Sequence, residues 1–297
     1  MIAEGEFIAG LRQRAKAHPA VFLGIGDDAA LIAPNGAGTL ITADMLMDGV
    51  HFRVGEVTAE RIGRKALAVN LSDIAAMGGR PQTAFVALAL PRQTTGEFAA
   101  GIMAGILSLA GEFDVALAGG DTNVWEGPLV IAITVTGQPH AHGPVLRSGA
   151  LPGDVIFVTG PLGGSLAGRH LDFTPRVREA ERIVTNAKPT AMIDISDGLA
   201  TDLRHILIGS GCGAVLDRAQ IPLTSEVAQY PQDDALRRAL TDGEDFELCF
   251  TVPPERATAA VAAGGIAIGR CIAGEGLHWG HGLSSVAEIP WLGYQHS

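Results

Sequence analysis

Short apolar runs alternate along the chain with longer segments in which apolar residues recur at helical spacing. Continuous apolar runs of about four to eight residues, bounded by Gly, Pro or Asp, are typical of buried strands. We predict strands at residues 39–43, 83–90, 115–118, 129–136, 155–159, 191–195, 246–252 and 266–268, with shorter apolar stretches at 21–23 and 31–33.

Helical segments separate many of these runs. Residues 6–17 form a short one, and residues 58–77 form a long one whose first residue, a Thr, is suited to cap it. Thr94 and Glu97 have the spacing of a capping box, which predicts another helix at that point. A further helix is expected at about residues 198–208.

This alternation of strands and helices indicates an α/β or α+β fold. The turn sequence Pro152-Gly153-Asp154 begins a second unit of strands and helices. A chain of 297 residues is also long enough for two domains. We therefore predict an N-terminal domain at residues 1–148 and a C-terminal domain at residues 149–297.

Composition narrows the class of protein. The formal charge is −11, so a basic surface for nucleic acid is not expected. The longest apolar run, residues 98–111, is too short to span a bilayer, and the acidic first residues do not resemble a signal peptide. Three isolated cysteines suggest reduced thiols. We predict a soluble cytoplasmic protein without a nucleic-acid or membrane partner.

Acidic residues gather at four places where predicted elements meet turns. These are Asp27-Asp28, Asp44, the Gly119-Gly120-Asp121-Thr122 segment, and Asp194 to Asp197. Turn and capping preferences alone explain any single one, since Asp and Gly favour tight turns and helix caps. The four together favour cation binding, because Mg²⁺ prefers carboxylate oxygens together with substrate phosphates.

Asp73 is a separate indication. On the long predicted helix it shares a face with Ile62, Ala66 and Val69. A carboxylate on an apolar face is costly unless it is paired or binds a metal. Metal binding is one explanation, and pairing with Lys65 or Asn70 is the other.

Several well-known motifs are absent. The sequence has no GxxxxGK[ST], HExxH or GxSxG pattern, and its histidines lack the spacing of a zinc site. The Gly-rich segment at residues 160–165 resembles a phosphate loop only faintly, because it has no Lys. We interpret it as a tight turn from a strand into a helix.

Seven segments, in order, resemble motifs of the thiamine-monophosphate kinase family, which belongs to the superfamily of aminoimidazole ribonucleotide synthetase. They are residues 24–31 (GIGDDAAL), 44–52, 65–78, 119–122 (GGDT), 147–150, 194–199 (DISDGL) and 242–248 (DGEDFEL). The ending Trp291-Leu292-Gly293-Tyr294 is also similar to the family. The resemblance covers nearly the whole chain.

The resemblance implies two α/β domains and a homodimer in which the N-terminal domains share a β-barrel. It implies an ATP-dependent phosphotransferase with a phosphate group as acceptor. The reaction would convert ATP and thiamine phosphate into ADP and thiamine diphosphate by direct in-line transfer, with Mg²⁺ as cofactor.

The resemblance also implies roles for individual residues. The magnesium ligands would be Asp28, Thr42, Asp44, Asp73, Asp121, Asp194 and Asp197. The contacts to ATP would be Gly120, Asp121, Arg147 and Ser196. The contacts to thiamine phosphate would be His51, Glu244 and Tyr294. No covalent nucleophile or essential base is expected, because a phosphate monoester with a second pKa of about 6 is already mostly a dianion near neutral pH.

Two departures from the family pattern leave alternatives open. Ala43 stands where the family often has Thr, and the segment at residues 168–191 is shorter than expected. The chain could be another ATP-dependent synthetase of the superfamily. Such relatives tend to carry an N-terminal Gly-rich or Cys-bearing segment or a C-terminal Cys, and none of the three cysteines here lies near either end. The second alternative is a metal-binding relative without catalytic activity.

Overall fold

The structure is a computed structural model that describes residues 21–24, 26–32 and 38–293. The predicted helix at residues 6–17 and the predicted substrate contact Tyr294 lie outside these ranges. No helix within the described ranges is both long enough and apolar enough to cross a membrane.

The first half of the chain forms a six-stranded sheet in the order β1-β2-β3-β6-β4-β5. Strands β4 and β5 run parallel, and every other neighbouring pair is antiparallel. The bounds are β1 Val21–Leu23, β2 Ala30–Ile32, β3 Thr39–Met47, β4 Arg80–Pro91, β5 Ala116–Trp125 and β6 Val130–Gln138.

Two long helices cover one face of this sheet, α1 at Ala59–Ala76 and α2 at Gly96–Glu112. Along β6, Ile131, Ile133 and Val135 are buried and alternate with more exposed residues. This alternation means that one face of the sheet lies against the core and the other is only partly covered. Helix α1 is buried along most of its length, because it also packs against the second half of the chain.

The second half forms a seven-stranded sheet in the order β13-β12-β9-β11-β7-β10-β8. Its strands are β7 Val155–Val158, β8 Ala191–Asp194, β9 Gly213–Leu216, β10 Leu248–Val252, β11 Ile266–Ile272, β12 Leu277–His281 and β13 Ser284–Glu288. Every residue of β7, β8, β9 and β10 is buried, so both faces are covered and these strands appear in sequence as continuous apolar runs.

Five helices accompany this sheet: α3 Val177–Asn186, α4 Leu199–Ser210, α5 Ser225–Ala228, α6 Gln232–Thr241 and α7 Ala257–Ala262. Single 3₁₀ turns occur at Ser165–Ala167, Arg169–Leu171 and Pro254–Arg256. The two-domain mixed α/β architecture expected from the sequence is confirmed.

Some local predictions are wrong. The N-cap of α2 is Thr95, whose side chain accepts a hydrogen bond from the Phe98 backbone, and not Thr94. The loop after residue 160 leads into two 3₁₀ turns instead of a helix, because Gly164 and Gly168 adopt left-handed or related conformations there. Asp44 and Asp121 lie within strands β3 and β5 and not at their ends.

Within the described residues the six-stranded sheet is open and does not close into a barrel. Strand β5 is exposed along its whole length and forms one edge. A barrel shared between two copies therefore stays a prediction.

Candidate active site

Three carboxylates from distant parts of the chain meet between the two halves. Asp28 lies just before β2, Asp73 lies on α1, and Asp194 ends β8. One carboxylate oxygen from each lies within 4.8 Å of the others. We call these three residues, together with the neighbouring Asp44, the acidic cluster.

Hydroxyl groups and one arginine hold the acidic cluster in place. The Thr42 hydroxyl donates to Asp73 over 2.5 Å, and the Ser72 hydroxyl donates to Asp194 over 2.6 Å. Arg147 donates to both oxygens of Asp28, over 2.8 and 3.0 Å. The pairing of Asp73 with Lys65 or Asn70, one of the alternatives from sequence, does not occur: Lys65 contacts Glu244, and Asn70 accepts from the Asp44 backbone.

The acidic cluster is electrostatically strained without a cation. Burial, followed by the charges of Asp44, Asp194 and Asp28, raises the pKa of Asp73 well above its ordinary value. Burial and the charge of Asp28 also raise the pKa of Asp194, to about 8. Carboxylates that lose solvation and repel one another fit a divalent cation, because its charge reverses both effects.

A cavity of about 890 Å³ opens beside the acidic cluster. It is lined by Asp44, Asp73 and Asp194, and also by Ser196, Asp197 and Ala43. The predicted substrate contacts His51 and Glu244 line the same cavity. The structure thus places most of the predicted metal and substrate residues around one space.

Neighbouring groups determine the tautomer of His51 and favour the ionised form of Glu244. Nδ1 of His51 accepts a hydrogen bond of 3.1 Å from the Met47 backbone, so the proton of the neutral ring is on Nε2. Burial of Glu244 opposes ionisation, but the hydrogen bond from His170 and the charge of Lys65 outweigh it and lower its pKa. Glu244 and Phe246 have φ values of 53° and 49°, a left-handed conformation that is uncommon outside glycine.

Gly120 and Asp121 are not brought to this cavity within one chain. Asp44 aligns with Ile133 on β6, then with Val86 on β4 and with Gly120 on β5. Three strand spacings separate Asp44 from Gly120, which is about 14 Å. Asp121 is exposed on the edge strand.

The Gly-rich segment at residues 160–165 is a turn and not a phosphate loop. Its Gly163 and Gly164 N–H groups donate to the side chains of Asp245 and Asp242. Those carboxylates occupy the backbone donors that a phosphate would need. The segment is therefore a turn, as predicted, although two 3₁₀ turns follow it instead of the predicted helix.

Sequence reasoning missed Lys65 and His170 as residues of this cavity. Lys65 lies within 2.9 Å of His51, His170 and Glu244 atoms, although Glu244 is 179 positions further along the chain. A Lys on the buried face of a long helix is an available signal, but its partners could not be read from local spacing.

Comparison with known families defines the class of protein. Residues 26–138 match the family described as AIR synthase related protein, N-terminal domain, and residues 152–278 match the corresponding C-terminal domain. Together these matches cover most of the chain. The fold and site are therefore those of an AIR synthase related protein.

Similar individual proteins define the family further. A thiamine-monophosphate kinase of Rhodopirellula baltica is 44% identical over 265 residues, which cover 86% of this chain and 83% of the relative. The Escherichia coli thiamine-monophosphate kinase is 36% identical, covering 93% of this chain and 92% of the relative. A solved structure, AaThiL complexed with AMPPCP and TMP, superimposes with a TM-score of 0.87 at 28% identity, covering 99% and 97% of the two chains. The chain belongs to the thiamine-monophosphate kinase family and is an enzyme of the kinase class.

Proposed function

We propose that this protein transfers the γ-phosphoryl group of ATP to thiamine phosphate and so forms thiamine diphosphate and ADP. The observation that carries the proposal is a single cavity lined both by Asp44, Asp73 and Asp194 of the acidic cluster and by His51 and Glu244. Family membership supports the same reaction, and the AaThiL structure was solved with AMPPCP and TMP.

We assign Mg²⁺ binding to Asp28, Thr42, Asp44, Asp73, Asp194 and Asp197, with Asp121 considered below. The convergence of buried carboxylates supports this assignment. When bound, Mg²⁺ neutralises phosphate charge that would otherwise oppose transfer. Ala43 offers no side-chain ligand for a metal. The hydroxyl of the neighbouring Thr42 donates a hydrogen bond to Asp73.

The acceptor needs little chemical activation. A phosphate monoester has a second pKa of about 6 and is mostly a dianion near neutral pH. No base is needed to make it nucleophilic, so direct in-line transfer without a phosphoenzyme is the simplest course. His51 can donate from Nε2 and orient the acceptor, while Glu244 can accept from a polar group of it.

The ATP site combines Arg147, Ser196, Gly120 and Asp121. Arg147 presents a planar guanidinium beside the acidic cluster, and Ser196 lines the cavity. Gly120 and Asp121 reach such a site most simply across a dimer. Strand β2 pairs only with residues 39–41 of β3, and β5 is an exposed edge, so β3 and β5 offer complementary edges.

We therefore propose a homodimer in which the N-terminal sheets form a shared β-barrel. Its formation would cover the open sheet face, where Met45 and Phe85 are exposed. It would also allow Asp121 of the partner subunit to approach the acidic cluster. We further propose that the domains divide between residues 148 and 149, and that the protein acts in the cytoplasm.

The proposal is tested by incubating the protein with ATP, MgCl₂ and thiamine phosphate and separating the products. Thiamine diphosphate and ADP should form in equal amounts, and omission of thiamine phosphate should abolish ADP formation. In Asp44→Asn, folding should be retained and turnover lost, because a Mg²⁺ ion held by Asp44 and its neighbours would stabilise the transition state by several kcal/mol. ADP formation that ignores thiamine phosphate would refute the proposal.

A further inference from the structure

The Lys65 side chain is completely buried beside the cavity, although it carries an ammonium group. Its Nζ donates to the His51 carbonyl oxygen over 2.9 Å and to Oε2 of Glu244 over 2.6 Å. Nδ1 of His170 lies 2.8 Å from the same Nζ and 2.6 Å from Oε2 of Glu244. Three groups from separate segments thus converge on one ammonium.

These contacts join the two halves of the molecule at the acceptor side of the cavity. Lys65 lies on α1, and His51 follows the strand that carries Asp44. Glu244 belongs to the second half and is fixed there at its backbone: its N–H donates to the Ser196 carbonyl over 2.6 Å, and its carbonyl accepts from the Ser165 hydroxyl over 2.5 Å. Lys65 therefore sets the distance between His51 and Glu244.

Such an arrangement is a costly way to stabilise a fold. The free-energy cost of removing an ammonium and a carboxylate from water offsets much of their attraction. An apolar pair of similar volume therefore often stabilises a fold to the same extent. Burial lowers the pKa of Lys65, and Glu244 opposes that change. The left-handed backbone of Glu244 adds strain, which clusters at functional sites. A structural role alone does not account for charge and strain at one place.

We propose that Lys65 is a positioning residue for the phosphate-bearing acceptor and determines which acceptor is used. It holds Glu244 as a carboxylate at a fixed distance from His51. The cavity therefore selects an acceptor whose phosphate can reach His51 while a cationic ring or an N–H donor of the same molecule reaches Glu244. His170 shares Oε2 of Glu244 and supports the same position. This inference rests on the proposed kinase function, and Lys65 itself is not assigned a contact with the reacting atoms.

The test is a set of variants assayed with thiamine phosphate and ATP varied separately. Lys65→Met removes the ammonium. Lys65→Arg keeps the charge and protects folding, but its planar head cannot contact the same three atoms. Arg64→Met is the matched control, since Arg64 is the preceding residue of α1, contacts Glu112 and the Phe173 carbonyl, and does not line the cavity. Melting temperature is measured for each variant.

Both Lys65 variants should raise the KM for thiamine phosphate by about tenfold or more, as expected for lost hydrogen bonding to a charged group. The KM for ATP and the kcat should change little, and Arg64→Met should keep both KM values. Lys65→Arg with normal melting temperature and normal KM for thiamine phosphate would overturn the proposal. A Lys65→Met that only lowers melting temperature would do the same.

A double-mutant cycle tests whether Lys65 acts through Glu244. Glu244→Gln should raise the KM for thiamine phosphate, and Lys65→Met/Glu244→Gln should have a KM within about twofold of Glu244→Gln alone. Additive effects, or a normal KM in Glu244→Gln, would overturn the proposal. Wild-type activity separates the two claims, because absence of turnover with thiamine phosphate would refute the proposed function itself.

Discussion

At the scale of single residues, the acidic cluster decides what the site can bind. Asp28 and Asp194 are buried, and Asp73 lies between them with its pKa raised by burial and by like charges. In the absence of a cation these carboxylates repel one another and destabilise the folded chain. Bound cations would convert this repulsion into attraction.

Asp73→Asn should therefore have opposite effects on stability and on function. Without metal and at alkaline pH, where the Asp73 carboxylate is ionised despite its raised pKa, the melting temperature of the variant should exceed that of the wild type, because the repulsion from the neighbouring carboxylates is removed. MgCl₂ together with ATP should raise the melting temperature of the wild type but have little effect on the variant, and turnover should be lost. Glu255→Gln, which changes an exposed residue of a 3₁₀ turn, serves as the control. A variant that gains as much stability from MgCl₂ as the wild type would contradict the assignment.

His51→Asn should retain substantial kcat at saturating thiamine phosphate, with the main loss in KM, because His51 orients the acceptor and removes no proton from it. The rate should fall on the acidic side near pH 6 in both proteins, as the acceptor dianion takes up a proton and becomes a weaker nucleophile. Steady-state kinetics against pH provide the measurement. An acidic limb that moves in the variant, together with a kcat loss at saturation, would instead identify His51 as a base.

At the scale of secondary-structure elements, α1 carries much of the site and its position depends on close packing with α2. A Cβ at Gly63 would lie 1.9 Å from the Ile102 carbonyl oxygen, and a Cβ at Gly105 would lie 1.9 Å from the Glu60 carbonyl oxygen. The two helices cross where both glycines allow backbone contact. Asp73 and Lys65 are positioned by this crossing, since both lie on α1.

Gly105→Ala should separate the helices and destabilise the fold by about 2 kcal/mol, within the range for overpacking in a core. Gly111→Ala is the matched control on the same helix, because its Cβ would meet no atom within 4 Å. That variant should be stabilised by about 0.5–1 kcal/mol through helix propensity. Urea unfolding measures both changes. Equal effects of the two substitutions would show that helix propensity, and not the crossing, governs this position.

Some of these helices and strands can be predicted from the sequence and others cannot, for physical reasons. Helix α1 is recognised because its apolar residues keep helical spacing over many turns, and β7 and β8 because burial on both faces makes them continuous apolar runs. Strand β5 is predicted only for its first residues, since its exposed remainder is rich in polar residues and Gly. Helix α6 was not predicted, although its buried residues Ala235, Leu236, Ala239 and Leu240 keep helical spacing and acidic residues occupy its first turn.

The residues of the candidate site are also only partly predictable from the sequence. Motif likeness names the acidic cluster, His51 and Glu244. In the structure all of these except Asp28 line one cavity, and Asp28 lies beside Asp73 and Asp194. The partners of Lys65 could not be predicted, because they depend on the packing of two halves distant in sequence. Asp121 could be named from its motif, but its exposed position on the edge strand β5, away from the cavity, could not be predicted from local sequence.

At the scale of the whole molecule, the proposed ATP site is completed by a second copy of the chain. One face of the six-stranded sheet is only partly covered, β5 is an exposed edge, and β2 pairs only with residues 39–41 of β3. The exposed residues of this region include Phe85 and Val124. An exposed, long edge strand is a site for pairing with another chain. The ATP contacts assigned to Gly120 and Asp121 also remain distant from the cavity in a single chain.

Val124→Lys should therefore yield a folded monomer with much lower activity, because it places a charge within the expected interface. Ile208→Lys is the control, since Ile208 is 79% exposed on α4 and away from β5. Light scattering after gel filtration gives the mass of each variant. A wild-type protein that is monomeric and fully active at every concentration would contradict the shared barrel.

The central claim is direct transfer from ATP to the phosphate of thiamine phosphate within this cavity. ATP labelled with ³²P at the γ-position tests it most directly, in a single turnover with MgCl₂ and excess thiamine phosphate. We expect the label to appear in the terminal phosphoryl group of thiamine diphosphate, with no accumulation of labelled protein at any time. Label that passes through the protein, or that is released only as inorganic phosphate, would contradict it.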